Sequence, residues 1–173
     1  MGFLNIEIKA YCSKPKNIEQ ILRDEQAEYK GLDRQIDTYF NVPQGRLKLR
    51  EGNIENSLIF YHREDITGPK KSRVQLYKTQ PGSSLKEVLI HALGIKIIVD
   101  KKRKIYFIKN IKFHIDQVEG LGSFVEIEAI DKEGNIGEAK LQEQCERYIQ
   151  KFEILKSDLI SVSYSDLLLN EKN

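Results

Sequence analysis

Cysteine is scarce: Cys12 and Cys145 are the only two in 173 residues, and they stand far apart. That usage argues against a disulfide scaffold, leaves no thiolate cluster for a structural metal, and suits a reducing cytoplasm. Long apolar runs are also missing. No stretch approaches the roughly 20 apolar residues of a membrane-spanning helix. The start, Met1-Gly2-Phe3-Leu4-Asn5-Ile6-Glu7, lacks the basic-then-apolar pattern of a signal peptide. Gly2 has no Ser or Thr at the offset that myristoylation needs. Charge of one sign does not dominate. Lys and Arg number 28 against 26 Asp and Glu, a net +2 with no basic tail, which argues against a general nucleic-acid coat. Low-complexity segments and solenoid-length repeats are absent. What remains is a composition of 40% apolar and 31% charged residues, enough for one domain over 1–173 with a core of its own.

The dominant pattern is strand. Alternation and turn residues predict strands near 3–12, 34–41, 45–51, 57–64, 70–78, 96–108, 111–118 and 123–130. Asn41-Val42-Pro43-Gln44-Gly45, Glu51-Gly52-Asn53, Thr67-Gly68-Pro69 and Glu119-Gly120-Leu121-Gly122 read as hairpin turns, so the strands they join are antiparallel. Helices are expected at 15–30, at 84–93 with Ser84 and Glu87 as a capping box and Gly94 as a stop, at 137–152, and within 157–169 with Ser157 or Ser163 as cap. Eight strands suit a closed barrel and the element order says α+β, with an open sheet as the alternative.

Sorting each strand by alternate residues puts charge on one face. Asn5, Glu7 and Lys9 share a side in the first strand, and Arg46, Lys48 and Arg50 in the third. Tyr61 aligns with Arg63, Lys71 with Arg73, Gln75 and Tyr77, and Lys101 with Arg103. Lys112, His114 and Asp116 share a face, as do Glu126 and Glu128. Any one such face could simply look at water. Together they would stack like charges across neighbouring strands, an arrangement that a bound polyanion relieves. The separate carboxylates would repel that anion unless a hard cation sat between them. An inside-out barrel follows as the hypothesis: charged lumen, apolar outer wall, helices outside.

These segments resemble the CYTH, or triphosphate-tunnel, superfamily over nearly the whole chain. Asn5-Ile6-Glu7-Ile8-Lys9 resembles its ExExK signature, and Asp37-Thr38-Tyr39-Phe40 with Arg46-Leu47-Lys48-Leu49-Arg50 its central segment. Lys101-Lys102-Arg103-Lys104 fits its basic strand, and His114-Ile115-Asp116 through Glu126-Ile127-Glu128 is the most specific stretch. Ser163-Tyr164-Ser165-Asp166 looks like the bacterial class IV adenylate cyclase branch.

The resemblance implies an eight-stranded antiparallel barrel, often a homodimer, that binds ATP or another triphosphate with Mg²⁺ or Mn²⁺. It assigns metal binding to Glu7, Glu126, Glu128 and Asp116, and triphosphate binding to Lys9, Lys48, Arg50, Arg63, Arg73, Lys101 and Arg103, with Asp116 and Lys9 as catalytic candidates. Three activities fit: cyclisation of ATP to cyclic AMP and pyrophosphate, hydrolysis of a triphosphate, or binding alone. Asn5 stands where the signature has its first Glu. An amide oxygen can ligate a hard cation but brings no charge, which bears on catalysis more than on triphosphate binding.

His62, His91 and His114 are not at metal-ligand spacing. His62 is expected outside the barrel and His91 on a helix as a structural residue, while His114 shares the polar face with Asp116. Substituting Asp116 or Glu126 is expected to leave the fold intact, because thinning clustered like charges relieves repulsion.

Overall fold

All eight strands occur in the computed structural model, which describes residues 2–173. They are β1 (Phe3–Tyr11), β2 (Glu28–Phe40), β3 (Arg46–Glu51), β4 (Asn56–Arg63), β5 (Lys70–Lys78), β6 (Ile95–Ile108), β7 (Ile111–Val118) and β8 (Gly122–Asp131). The ladder order β1-β5-β4-β3-β2-β6-β7-β8 closes into a barrel, with β8 antiparallel to β1. Closure leaves no exposed edge to recruit another strand.

Helices α1 (Pro15–Asp24) and α3 (Glu138–Lys151) cover the outer wall. Their Ile18, Leu22, Leu141, Cys145 and Tyr148 pack on the outward Ile6, Ile8, Phe113, Val125 and Ile127 of β1, β7 and β8. Burying each such side chain is worth roughly 1.5–3 kcal/mol, so this outer layer is a main source of stability. The core therefore lies outside the barrel, and the alternate residues of the same strands are left for the lumen. No helix among the described residues is long and apolar enough to cross a membrane.

Helix α1 stops short of the expected 15–30, and β2 begins at Glu28 rather than near 34. Gln26 takes a left-handed conformation with φ 59°. Its N–H bonds to Arg23 O, and the Ala27 N–H reaches Leu22 O at 2.9 Å. This reversal usually uses glycine, so its sequence signal is absent here. Helix α3 ends the same way at Glu153, φ 54°.

Helix α2 (Leu85–Leu93) ends on Gly94 at φ 73° as expected, but Ser84 makes no side-chain cap bond. Ser157 lies within a 3-10 turn, Lys156–Asp158, and caps nothing. Ser163 does cap α4 (Tyr164–Glu171), accepting from the Asp166 N–H while Asp166 accepts from the Ser163 N–H. Ser163→Ala should cost about 1 kcal/mol by loss of this cap, read as a fall in denaturation midpoint with unchanged slope; an unshifted midpoint would contradict the assignment.

The segment before α4 lies against one end of the barrel. Ile160 donates its N–H to Lys9 O at 2.9 Å, and Leu159 bridges to Ala10. The buried Lys70 ammonium donates to Ile160 O at 3.0 Å and Ser161 O at 2.8 Å. Inside that end, Tyr39, Ile97, Val99, Val118 and Phe124 pack with Ile160 and Tyr164 into a second apolar cluster. Arg46 fastens α4 to the wall through Asp166 at 2.8 Å.

Candidate functional site

Above that apolar end, the lumen is a cavity of about 630 Å³, within the size range of small-molecule sites. Lys9, Lys48, Arg50, Arg63, Lys101, Arg103, Glu7, Glu126 and Glu128 all line it. Asp116 lies behind Arg103 and is 1% exposed. Alternation splits the basic run as expected: Lys101 and Arg103 face inward, while Lys104 faces out and binds Glu19 at 2.6 Å.

Arg73 does not join the set. In β5 it lies opposite Leu4 of β1 and His62 of β4, both on the outward face, whereas Ser72 and Val74 line the cavity. The expected polar face of β5 was therefore the wrong one: Lys71, Arg73, Gln75 and Tyr77 face out. Ser72 and Val74 carry no charge to mark the inner side, so charge misled the reading of this strand.

The lumen cations are not bare. Asp37, fully buried on β2, holds three of them: Arg50 through two bonds of 2.9 and 2.8 Å, Lys101 at 2.8 Å and Lys48 at 3.1 Å. Burial alone would raise the Asp37 carboxyl, but Arg50, Lys101 and Lys48 outweigh it and keep it well below the usual range. Arg103 forks onto Asp116 at 2.8 and 2.7 Å and reaches Glu126 at 3.3 Å. Tyr164 also donates to Asp116, at 2.7 Å. Arg63 binds Glu7 at 2.8 Å, and Lys9 sits 3.4 Å from Glu126 and 3.7 Å above the Tyr164 ring. Lys112 binds Glu55 at 2.8 Å. Glu55 is placed by its loop, where Asp33 accepts from the Ile54 and Glu55 N–H groups at 2.9 Å. A Cβ on Gly52 would come within 2.5 Å of the Asp33 carboxylate, so only glycine fits there.

Two consequences follow. First, internal carboxylates, not only a ligand, make the cationic field tolerable. Asp116 holds Arg103 and Glu126 holds Lys9 and Arg103, so substituting either strands a buried cation and should cost stability, against the expectation that the fold is left intact. Second, the burial of Lys9 and Lys101 lowers both ammonium pKa values against the opposing pull of Glu126 and Asp37 respectively.

Some groups are left over. Arg63 Nε and Nη2 are buried without an acceptor, and Asn5 Oδ1 is buried without a donor. Arg63 lines the cavity, so these unpaired donors sit beside it. The acids also cluster. His114 Nδ1, Glu126 and Glu128 present ligand atoms within 4.8 Å of one another, a donor set that fits a divalent cation. Glu7 and Asp116 lie outside that cluster, their carboxylates bound to Arg63 and Arg103. Burial, reinforced by Arg103, lowers the His114 pKa to about 3, against Glu126. Burial with Glu7 and Glu126 raises Glu128 to about 7, against Lys112.

Towards the open end the lining changes character. Phe3, Ile54, Ile59, Val74, Ile105, Phe107 and Ile130 form an apolar zone, rimmed by Lys30, Lys78 and Lys132. The lumen is thus graded from apolar closure through a charged band to an apolar mouth.

Comparison with known proteins agrees with this architecture. A Methanocaldococcus jannaschii protein named as a candidate adenylate cyclase is 27% identical over 178 residues, covering 95% of this chain and 98% of its own. A solved Pyrococcus furiosus protein superposes with TM-score 0.79 at 22% identity, covering 94% of this chain and 99% of its own. A Hippeastrum protein, described as a candidate adenylyl cyclase with a dominant triphosphatase activity, has TM-score 0.61 at 11% identity, with 98% and 95% covered. The sequence profile of the CYTH domain matches residues 4–163, and with its closed barrel and charged lumen the chain belongs to the CYTH domain family.

Proposed function

We propose that the barrel binds ATP, or a closely similar organic triphosphate, with Mg²⁺ or Mn²⁺, and converts it to cyclic AMP and pyrophosphate. The observation that carries the binding half is Arg63, whose Nε and Nη2 groups are buried in the charged band without an acceptor. Arg63 keeps a free planar fork for phosphate oxygens, Arg50 and Arg103, whose forks are held by Asp37 and Asp116, keep Nη1, and Lys9, Lys48 and Lys101 offer point charges. The apolar mouth suits the base and sugar, which inorganic tripolyphosphate lacks.

In cyclisation the ribose 3′-hydroxyl attacks the α-phosphorus and pyrophosphate leaves. A divalent ion held by Glu126 and Glu128 would supply charge neutralisation and acidify the hydroxyl, whose proton would pass to solvent. The chain's own groups hold the leaving pyrophosphate in line and stabilise the charge it gathers. Asp116 acts here by fixing Arg103 rather than by touching the nucleotide, since it is buried behind Arg103 and off the cavity lining. Lys9, deep in the lumen, faces the far phosphates. Hydrolysis is the second reading, favoured by the activity of the structurally similar Hippeastrum protein. Incubating the protein with ATP and Mn²⁺ separates the outcomes. Cyclic AMP with pyrophosphate supports cyclisation, ADP with phosphate supports hydrolysis, and unchanged ATP with saturable binding leaves a binding module.

Binding should also draw in protons. Lys9 and Lys101 have lowered pKa values in the free lumen, and an arriving polyanion raises them. Triphosphate affinity should therefore fall as pH rises above neutral. Calorimetry at pH 8 in buffers of different ionisation enthalpy should show net proton uptake; identical apparent enthalpies would contradict it.

A further inference from the structure

We propose that the imidazole of His114 is itself a ligand of the divalent ion, completing with Glu126 and Glu128 a seat of one nitrogen and carboxylate oxygens. This rests on the reading of the barrel as a metal–triphosphate site and adds the identity of a ligand and the class of ion it favours.

The geometry comes from the ladder. His114 lies directly opposite Glu126 in the β7–β8 register, and Glu128 is the next inward residue on β8. Nδ1 stands 3.2 Å from a Glu126 oxygen and 3.8 Å from a Glu128 oxygen. Ligand atoms bound about 2.1 Å from a common ion lie about 3 Å or more from one another, so this spacing needs little rearrangement. Both strands are held on each side, so the three groups are set before any ion arrives.

Glu126 meets Lys9 and Arg103 through Oε1, while Oε2, the oxygen facing His114, has no cation partner among the described residues; the remaining acids stand apart from this seat. Glu7 is engaged by Arg63 and Asp116 by Arg103 and Tyr164, while Asn5 brings no charge. His114 is 1% exposed, its Nδ1 bonds Glu126 and lies near Glu128, and among the described residues its Nε2 has no hydrogen-bond partner. When Nδ1 ligates an ion, Nε2 is the nitrogen that carries the ring proton.

A nitrogen donor changes selectivity. Mg²⁺ prefers an all-oxygen shell, whereas Mn²⁺ and later transition ions accept imidazole and gain from it. The seat should therefore favour Mn²⁺ over Mg²⁺ more strongly than carboxylates alone would.

Pulsed electron paramagnetic resonance on Mn²⁺ bound without nucleotide tests this directly. The expected result is a ¹⁴N coupling that becomes a ¹⁵N coupling when the protein is grown with ¹⁵N-histidine. The labelling needs no mutation, and His62 and His91 are exposed and stand apart from the Glu126–Glu128 pair that His114 meets. His114→Gln should abolish the coupling, weaken Mn²⁺ binding by about tenfold or more, and narrow the preference over Mg²⁺. Bound Mn²⁺ without nitrogen coupling overturns the ligand assignment and leaves the carboxylate site standing. Absence of Mn²⁺ binding both with and without ATP overturns the metal–triphosphate reading along with it.

Discussion

Asp37→Asn should lower the stability of the free protein by about 3–5 kcal/mol, because removing one partner strands buried charges. The stranded groups are Arg50, Lys101 and Lys48, all held by this one carboxylate. The same change should tighten triphosphate binding, since the phosphates no longer compete with Asp37 for those cations. The two effects together give a distinctive signature. ATP should raise the melting temperature of the variant by more than it raises that of the parent protein. Thermal melts with and without ATP check this. An equal shift in both proteins would mean that Asp37 is only a structural pin and that the cations it holds do not meet phosphate.

Arg63→Met should weaken ATP binding by about 10–100-fold, the worth of one or two hydrogen bonds to a charged group. Arg63→Lys should recover part of the loss, since it restores the charge but not the fork. The useful comparison is Arg73→Met, on the outer wall opposite His62, which should bind ATP as the parent does. Calorimetric titration of the three variants measures this. Equal losses for Arg63→Met and Arg73→Met would point to a diffuse surface field rather than a built site.

How much of this was legible in the sequence depends on whether alternation carried a chemical mark. In β3, β7 and β8 the charged residues face inward and the aliphatic ones outward, so fold and lumen could be read from parity there, whereas β6 carries Lys102 and Lys104 outward as well as Lys101 and Arg103 inward and its charge marks neither face. In β5 the inward residues include Ser72 and Val74, and the outward ones include Arg73, so parity inverted when charge was taken as the guide. The start of β2 was hidden because α1 reverses on Gln26, a residue with no reputation for left-handed backbone.

Asp37 was visible as part of a motif, but nothing local says that one carboxylate will meet cations from two other strands. Only the barrel's closure brings them together. His114 is a similar case. Its partners sit twelve and fourteen residues away, across a hairpin, so no linear metal spacing exposes them. The strand register could have done so, because a turn at Glu119–Gly122 already places His114 against Glu126.

The most direct test of the central claim is a crystal structure with a non-hydrolysable ATP analogue and Mn²⁺. The phosphates should lie in the lumen within hydrogen-bonding distance of Arg63, Arg50 and Lys101, with the base in the apolar mouth near Phe107 and Val74. An analogue bound on the outer wall, or a lumen still closed by its own ion pairs at saturating analogue, would contradict it.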